Sequence, residues 1–324
     1  MHYHFILNVL HTLMDNVLLE DLWSSNNPSK LLEFFAIVNT PKKAFTFASK
    51  RIKADTSVYF STNYSKVCFI VPTKNATDFK KSTYWNAIQN YDVVIVESNG
   101  KYFNYANSVN NGIREALKND YECIVISNDD MLDFGLKNDI EKVLPRLKNY
   151  DLVYPSKSYT KDKISVKSNL FGVVEYNDLF KYITYAHEVL EVIKKKESGL
   201  KLRILQLLDS LQFSVFFYPK SSILYNVFNK VLRFRYEDLP LFTSFGLFNP
   251  SVLEEVKFDD VFINGHEDFD FSMRLKNAGY KYTSYPFQIK DIRNQSLGPF
   301  NGGLRSCKNV LNDLLISYKV KKYE

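Results

Sequence analysis

The stretch IVISNDD (124–130) runs from an apolar segment directly into an acidic turn. A short apolar run that ends at polar residues is typical of a strand buried on both faces of a parallel sheet. Ligands of α/β proteins bind just beyond the carboxyl ends of such strands. The turn Asn128-Asp129-Asp130 is therefore either a solvated turn or a site for a metal ion and a phosphate.

Segments of the same kind lie on both sides of this stretch. Apolar runs predict three more buried strands, at VCFIVP (67–72), DVVIVESNG (92–100) and DLVYP (151–155). Helical spacing predicts helices between the strands, over 78–90, 104–119 and 134–149. Strands that alternate with helices through short connections indicate βαβ units. We therefore expect a mostly parallel sheet flanked by helices, which is a Rossmann-like α/β fold.

The alternation of strands and helices is interrupted over residues 156–240, where the spacing of apolar residues predicts amphipathic helices, and it then resumes. TSFGLFNPSVLEEV (243–256) predicts a strand, a turn and a short helix, and FINGHEDFDFSMRLKNAGYKYTSYPF (262–287) predicts a loop, a helix and a strand. The chain then divides into a helical N-terminal extension (1–66), a first α/β half (67–155), a helical insertion (156–240), a second α/β half (241–303) and a C-terminal helix (304–324).

Composition and charge limit the classes of function. The net charge of +6 is mild, the basic residues are scattered and no nucleic-acid-binding signature accompanies them, so we expect no nucleic acid partner. Three cysteines are too few and too far apart for a disulfide framework or a zinc cluster, which favours a reducing, cytoplasmic setting. No cationic leader and no long uncharged apolar run is present, so we expect neither a signal peptide nor a transmembrane helix.

Two acidic groups carry chemistry of their own. Adjacent carboxylates at a strand end repel unless a cation, hydrogen bonds or solvent offset their charge, and hard oxygen ligands suit Mg²⁺ or Mn²⁺ ions that bridge to substrate phosphates. In GHEDFDF (265–271), Glu267, Asp268 and Asp270 stand in the first turn of a predicted helix. These three residues either complement the helix dipole or include a general base for a nucleophilic hydroxyl.

The order and spacing of the motifs match one family. In that family the first strand ends in P-T-x-N, the second in an acidic residue and the third in D-x-D or N-x-D, and G-x-E-D-x-D-x-x-x-R follows far downstream. The matching positions here are 72–75, Glu97, 128–130 and 265–274, with a helix motif over 106–116 and A-G-Y at 278–280. Over about 67–155 and 241–290, the chain resembles the GT-A fold glycosyltransferases of the inverting family 2.

The resemblance implies a donor site at the three strand ends. Asp130 would ligate the divalent cation, Mn²⁺ or Mg²⁺, that holds the donor diphosphate. Asp129 would lie near the ribose or sugar, and Asn128 would contribute more weakly. The nucleobase and ribose would be held by the first two strand ends, through a group that comprises Pro72, Thr73, Asn75, Glu97 and Asn99. Glu97 replaces the family's usual Asp, which leaves the nucleotide preference open.

The resemblance also implies an acceptor site in the second α/β half. Asp268 would deprotonate the acceptor hydroxyl, and Glu267 and Asp270 would shape the site around it. Many members supply a further metal ligand, a histidine, after the last core strand. At that place this chain has KDIRNQS, so Asp291 either replaces the histidine or the ligand is missing, and Arg293 is an alternative contact for the diphosphate.

These roles imply a metal-dependent, inverting glycosyltransferase. It would move a sugar from a nucleotide-diphosphate sugar to a hydroxyl of a glycan, lipid-linked or protein-linked acceptor. The alternative is a catalytically degenerate member that binds glycans or partner proteins. A nucleotidyltransferase of similar fold is disfavoured because PTKNATDFKK (72–81) lacks glycines.

The helical insertion leaves a second choice open. It carries a basic cluster at Lys194-Lys195-Lys196. One interpretation is a lid or packing element. The other is a surface that lies peripherally on a membrane or holds a lipid-linked acceptor.

Overall fold

The structure is a computed structural model, and it describes residues 16–25, 27–155 and 244–291 together with residues 308, 311, 312, 314–316, 318 and 319. The described residues belong to two compact units. One contains 16–52 and the C-terminal residues, and the other contains 53–155 and 244–291. The insertion predicted over 156–240 lies outside the described residues. In the described ranges, no helix combines the length and the apolar character needed to cross a membrane.

The first unit has a core of aromatic side chains. Its N-terminal part contains three helices, α1 (16–24), α2 (Pro28–Ile37) and α3 (Pro41–Lys50). Thr40 caps α3, and Pro41 occupies the first turn, where its missing N–H costs no helical hydrogen bond. The rings of four residues contact one another with centroids 4.9–6.4 Å apart, and these residues are Trp23, Phe34, Phe35 and Phe47.

The described part of the second unit is built on a seven-stranded sheet. The strands of this sheet are β1 (Ser57–Ser61), β2 (Val67–Thr73), β3 (Asp92–Glu97), β4 (Cys123–Ser127), β6 (Leu152–Pro155), β7 (Phe245–Phe248) and β8 (Tyr282–Tyr285). They lie in the order β1-β3-β2-β4-β7-β6-β8. Two further strands, β5 (Met131–Asp133) and β9 (Ile289–Asp291), form a separate two-stranded sheet.

The central sheet is mixed. β2 pairs in parallel with β3 and β4, and β6 pairs in parallel with β8. β1 is antiparallel to β3, and β7 is antiparallel to both β4 and β6. The prediction of parallel strands is confirmed for β3, β2 and β4, whereas β7 enters from the second α/β half and separates β4 from β6. Periodicity in the sequence does not encode which strands become neighbours, so the position of β7 between β4 and β6 was not predicted.

The prediction of a helical extension over 1–66 is wrong at residues 57–61, which form β1. The segment SVYFS consists of β-branched, aromatic and small polar residues, and strands favour the first two of these types. Antiparallel pairing with β3 also gives the backbone of this segment its hydrogen bonds.

Helices cover both faces of the central sheet. They are α4 (Ala76–Phe79), α5 (Thr83–Ile88), α6 (Tyr105–Ala116), α7 (Leu136–Val143, continued by a 3₁₀ turn over Leu144–Lys148), α8 (Pro250–Glu255) and α9 (Glu267–Asn277). Alternate side chains of β2 pack on opposite faces. Phe69 and Val71 join the core beneath α5 and α7, whereas Cys68 and Ile70 join the core beneath α6, α8 and α9.

Gly112 explains one motif of the sequence. A Cβ atom at this position would overlap Ile70 Cγ2 and would lie 3.1 Å from Val96 Cγ2. The glycine therefore lets α6 pack closely against β2 and β3. This close packing sets the position of the N-terminus of α6, which borders the candidate site.

Candidate active site

Hydrogen bonds link the carboxyl ends of β2 and β4. Thr73 is the last residue of β2, and its hydroxyl donates to Asp129 Oδ2 at 2.6 Å. Burial raises the pKa of Asp129, and the hydrogen bond from Thr73 opposes that shift because it stabilises the ionised carboxylate. The structure therefore brings together two of the residues that the sequence assigned to one site.

The carboxyl end of β3 is joined to the same edge. Glu97 pairs with Thr73 in the parallel register, and its Oε2 accepts a hydrogen bond from the Ala76 N–H at 2.8 Å. Asn75 caps α4 by accepting from the Asp78 N–H at 3.0 Å. Glu97 and Asn75 thus hold the turn between β2 and α4 in place.

The two remaining residues of the predicted nucleotide group differ in their exposure. Pro72 is buried within β2 opposite Val96, so it helps to position the turn from inside the sheet. Asn99 is exposed, and its amide donates to the Lys74 carbonyl at 3.4 Å. A contact of either residue with a nucleotide stays a prediction.

The acidic turn after β4 is held on its other side by α6. The Asn128 N–H donates to the Ser244 carbonyl at 2.9 Å, and Asn128 Oδ1 accepts from the Tyr105 hydroxyl at 3.2 Å. Asp130 is buried, with 9% of its surface exposed, while Asp129 is half-buried. The turn is therefore an ordered part of the sheet edge rather than a solvated loop.

A second acidic group opens α9, and the loop before it has an unusual backbone. Asn264 and His266 have φ angles of 52° and 66°, in the left-handed region that L-residues seldom adopt. Asn264 is held there by two hydrogen bonds: its Oδ1 accepts from the Tyr105 N–H at 2.9 Å, and its Nδ2 donates to the Phe103 carbonyl at 3.1 Å. These hydrogen bonds fix the backbone of the loop, and the loop in turn positions Glu267 and Asp268 at the start of α9.

Glu267 and Asp268 are adjacent carboxylates, of which Glu267 is buried and Asp268 is half-buried. Glu267 is 8% exposed, and its Oε2 has no hydrogen-bond partner among the described residues. Burial, together with the negative charge of Asp268, raises the pKa of Glu267 to about 7. Burial also raises the pKa of Asp268, although the neighbouring His266 opposes that shift. Adjacent carboxyls with raised pKa values are suited to hold or accept a proton near neutral pH.

Asp270 has a different environment from the other two carboxylates of its motif. It is 2% exposed, and its Oδ2 lies 2.9 Å from Arg274 Nε, one turn along α9. Arg274 also donates to the Lys257 carbonyl at 2.7 Å. This ion pair stabilises α9 and the chain that precedes it, and a contact of Asp270 with an acceptor stays a prediction.

Tyr105 lies beside both acidic groups. Burial raises the pKa of its phenol, and the negative charges of four carboxylates raise it further: Glu267, Asp268, Asp129 and Asp130. Tyr105 also contacts both segments, because its hydroxyl donates to Asn128 in the turn after β4 and its N–H donates to Asn264 in the loop before α9. Sequence reasoning missed Tyr105. The available signal was its place at the start of a helix that follows a predicted strand end.

The described residues do not form a complete metal site. Asp129 and Asp130 place carboxylate oxygens on one turn, but no group of three or more His, Cys, Asp or Glu side chains in the described ranges is arranged to hold a metal ion. The backbone of Asp291, the other predicted ligand, pairs with Met131, which directly follows Asp130. Mg²⁺ commonly binds through one or two carboxylates with water and substrate phosphates, so two carboxylates fit this chemistry.

Comparisons with known proteins add no family to this geometry. No protein-family model matches the chain. No curated protein is significantly similar to it in sequence. The case for a function therefore depends on the site itself.

The buried Glu267 leads to a prediction about pH and stability. A carboxyl whose pKa is higher in the folded than in the unfolded state stabilises the fold below its unfolded pKa, and this contribution is lost as the pH rises through the folded pKa of about 7. When the pH rises from 5 to 8, the free energy of unfolding of the parent should therefore fall by roughly 1–3 kcal/mol more than that of Glu267→Gln. Urea denaturation at the two pH values measures this difference.

Glu254→Gln on α8 is the matched control, since Glu254 is exposed. We expect this variant to follow the pH dependence of the parent. An equal fall in stability for the parent and Glu267→Gln would show that Glu267 does not ionise in this pH range.

Proposed function

We propose that this protein is a GT-A type glycosyltransferase that moves a sugar from a nucleotide-diphosphate sugar to a hydroxyl acceptor, with a divalent cation, Mn²⁺ or Mg²⁺, as cofactor. One observation carries the proposal: Tyr105 is hydrogen-bonded both to the acidic turn 128–130, through Asn128, and to the loop that precedes Glu267 and Asp268, through Asn264. Transfer from a diphosphate donor needs a negatively charged site that binds the cation, which neutralises the departing diphosphate, and a base for the incoming hydroxyl. The two acidic groups supply one of each.

The donor half of the site consists of residues at the ends of β2, β3 and β4. The cation, when bound by Asp130 and Asp129, would neutralise charge on the departing diphosphate. Asp129 is held by the Thr73 hydroxyl, which keeps its carboxylate oriented and favours its ionised form. The nucleoside would lie along the ordered turn that Glu97 and Asn75 hold.

The acceptor half consists of the carboxylate pair at the start of α9. Asp268 accepts the proton of the acceptor hydroxyl as the acceptor oxygen bonds to the anomeric carbon, and the bond from that carbon to the diphosphate oxygen breaks. Attack from the face opposite the leaving group inverts the anomeric configuration. The raised pKa of Asp268 brings this base closer to neutral pH, where proton acceptance is more favourable than for an ordinary aspartate.

A donor screen tests the proposal. The protein is titrated calorimetrically with UDP, GDP and dTDP in Mn²⁺ or Mg²⁺, and sugar release is measured from a panel of nucleotide sugars. We expect one nucleotide to bind with a Kd between roughly 1 μM and 1 mM when the cation is present, and its sugar to be released. No binding and no release with any donor would refute the proposal. Binding without release would favour the glycan-binding alternative.

A further inference from the structure

Tyr105 is bonded at both ends to different parts of the site. Its backbone N–H donates to Asn264 Oδ1 at 2.9 Å, in the loop before α9. Its hydroxyl donates to Asn128 Oδ1 at 3.2 Å, in the turn after β4. A single residue thus connects the loop before α9 with the acidic turn after β4.

The neighbours of Tyr105 make this bridge rigid. The Asn104 side chain donates to the Asp260 and Phe262 carbonyls at 3.0 and 2.7 Å, so the loop before α9 is anchored to the first turn of α6. Asn104 also caps α6, because its Oδ1 accepts from the Asn107 N–H at 2.8 Å. The main chain of α6 can therefore shift little relative to the loop, and the phenol is a short, stiff connection to Asn128.

The phenol also differs chemically from the groups around it. Ionised carboxylates only accept hydrogen bonds, whereas a neutral phenol donates one. Burial raises the pKa of Tyr105, which favours the neutral phenol. Its O–H donates to Asn128 Oδ1, a bond that a carboxylate in its place would not make.

We propose that Tyr105 is a positioning residue, which sets the distance between the donor-side turn 128–130 and the base Asp268 through its hydrogen bond to Asn128. The inference rests on the proposed function. A shift of either half changes the geometry of transfer more than the affinity of the donor, since a small misplacement of reacting groups costs up to about a hundredfold in rate.

The test uses Tyr105→Phe, which removes only the hydroxyl. We expect kcat to fall about tenfold to a hundredfold, while the donor KM and the nucleotide Kd change less than about threefold. Tyr280→Phe is the matched control. Its phenol donates to Glu255 at 2.6 Å at the far end of α9, so its loss should leave kcat within about twofold.

A double-mutant cycle with Asn128→Ala separates positioning from a general structural effect. If Tyr105 acts through Asn128, the double variant should be no slower than Asn128→Ala alone. Additive losses would overturn the inference, as would an effect on KM alone. If Tyr105→Phe does not fold, Asn128→Ala removes the same bond from its other end, and an unchanged kcat in that variant also overturns it.

The two proposals fail in different ways. A parent protein that neither binds a nucleotide nor releases a sugar refutes the proposed function, and the inference falls with it. If the parent transfers sugar and Tyr105→Phe is equally active, the inference alone is refuted and the proposed function stands.

Discussion

Replacing Asp268 with asparagine should lower the rate of sugar transfer by about a thousandfold, within the range that general bases contribute, while the nucleotide Kd stays within about threefold. The amide has almost the same shape as the carboxylate but cannot accept the acceptor proton. Asp268 also belongs to the acceptor half of the site, whereas the nucleotide is expected at the ends of β2, β3 and β4. Steady-state transfer assays and nucleotide calorimetry measure the two effects separately.

The pH profile gives this prediction a second readout. Burial raises the pKa of both Asp268 and Glu267, so transfer by the parent should decline on the acid side as the base becomes protonated. That acid limb should be absent from the residual activity of Asp268→Asn. Glu254→Gln, at an exposed position of α8, serves as the control and should retain both the rate and the acid limb. A fully active Asp268→Asn would exclude Asp268 as the base.

Replacing Asp130 with asparagine should weaken cation-dependent nucleotide binding by about a hundredfold. Loss of a supporting residue around a metal typically costs ten- to a hundredfold in affinity, and a direct ligand should lie at the upper end of that range. Asp130 is buried beside the half-buried Asp129, so little solvent is available to replace the lost carboxylate. Calorimetry with and without EDTA isolates the part of the binding that depends on the cation.

Asp120→Asn is the matched control for this experiment. Asp120 is exposed and precedes β4, whereas Asp130 follows the same strand. The control should bind like the parent. Urea denaturation of both variants checks that each remains folded under the conditions of the binding assay. Parent-like binding by Asp130→Asn in Mn²⁺ and Mg²⁺ would rule out Asp130 as a ligand.

Most of the elements were predictable because their signals are local. The run before Asn128 is apolar at successive positions, as a strand covered on both faces requires, and it forms β4. The predicted helix over 104–119 is α6, and the predicted helix over 134–149 is α7 with its 3₁₀ continuation. The helix predicted over 78–90 is divided into α4 and α5, with Ser82 capping the second.

The parts that were not predictable depend on residues far apart in the chain. The placement of β7 between β4 and β6 results from pairing between residues that lie 94 to 124 positions apart in the chain. The strand β1 was predicted as helix because its segment is only five residues long, and its strand-favouring composition becomes decisive only when it pairs with β3. The contacts of Tyr105 were not predictable for the same reason, since its partners Asn128 and Asn264 are distant from each other in sequence.

The sequence by itself determined the α/β elements, the strand ends that carry polar groups and the two acidic motifs, because periodicity and strand-end chemistry are local properties. Only the tertiary structure decided that Tyr105 is hydrogen-bonded to the turn after β4 and to the loop before α9, that Thr73 donates to Asp129 and that Glu267 is buried beside Asp268. The contacts of Tyr105 arise where α6 and α9 pack on one face of the sheet, and the bond between Thr73 and Asp129 arises because β2 and β4 are parallel neighbours. The carboxylates of IVISNDD therefore lie in a partly buried turn that hydrogen bonds hold in place, rather than in a solvated turn.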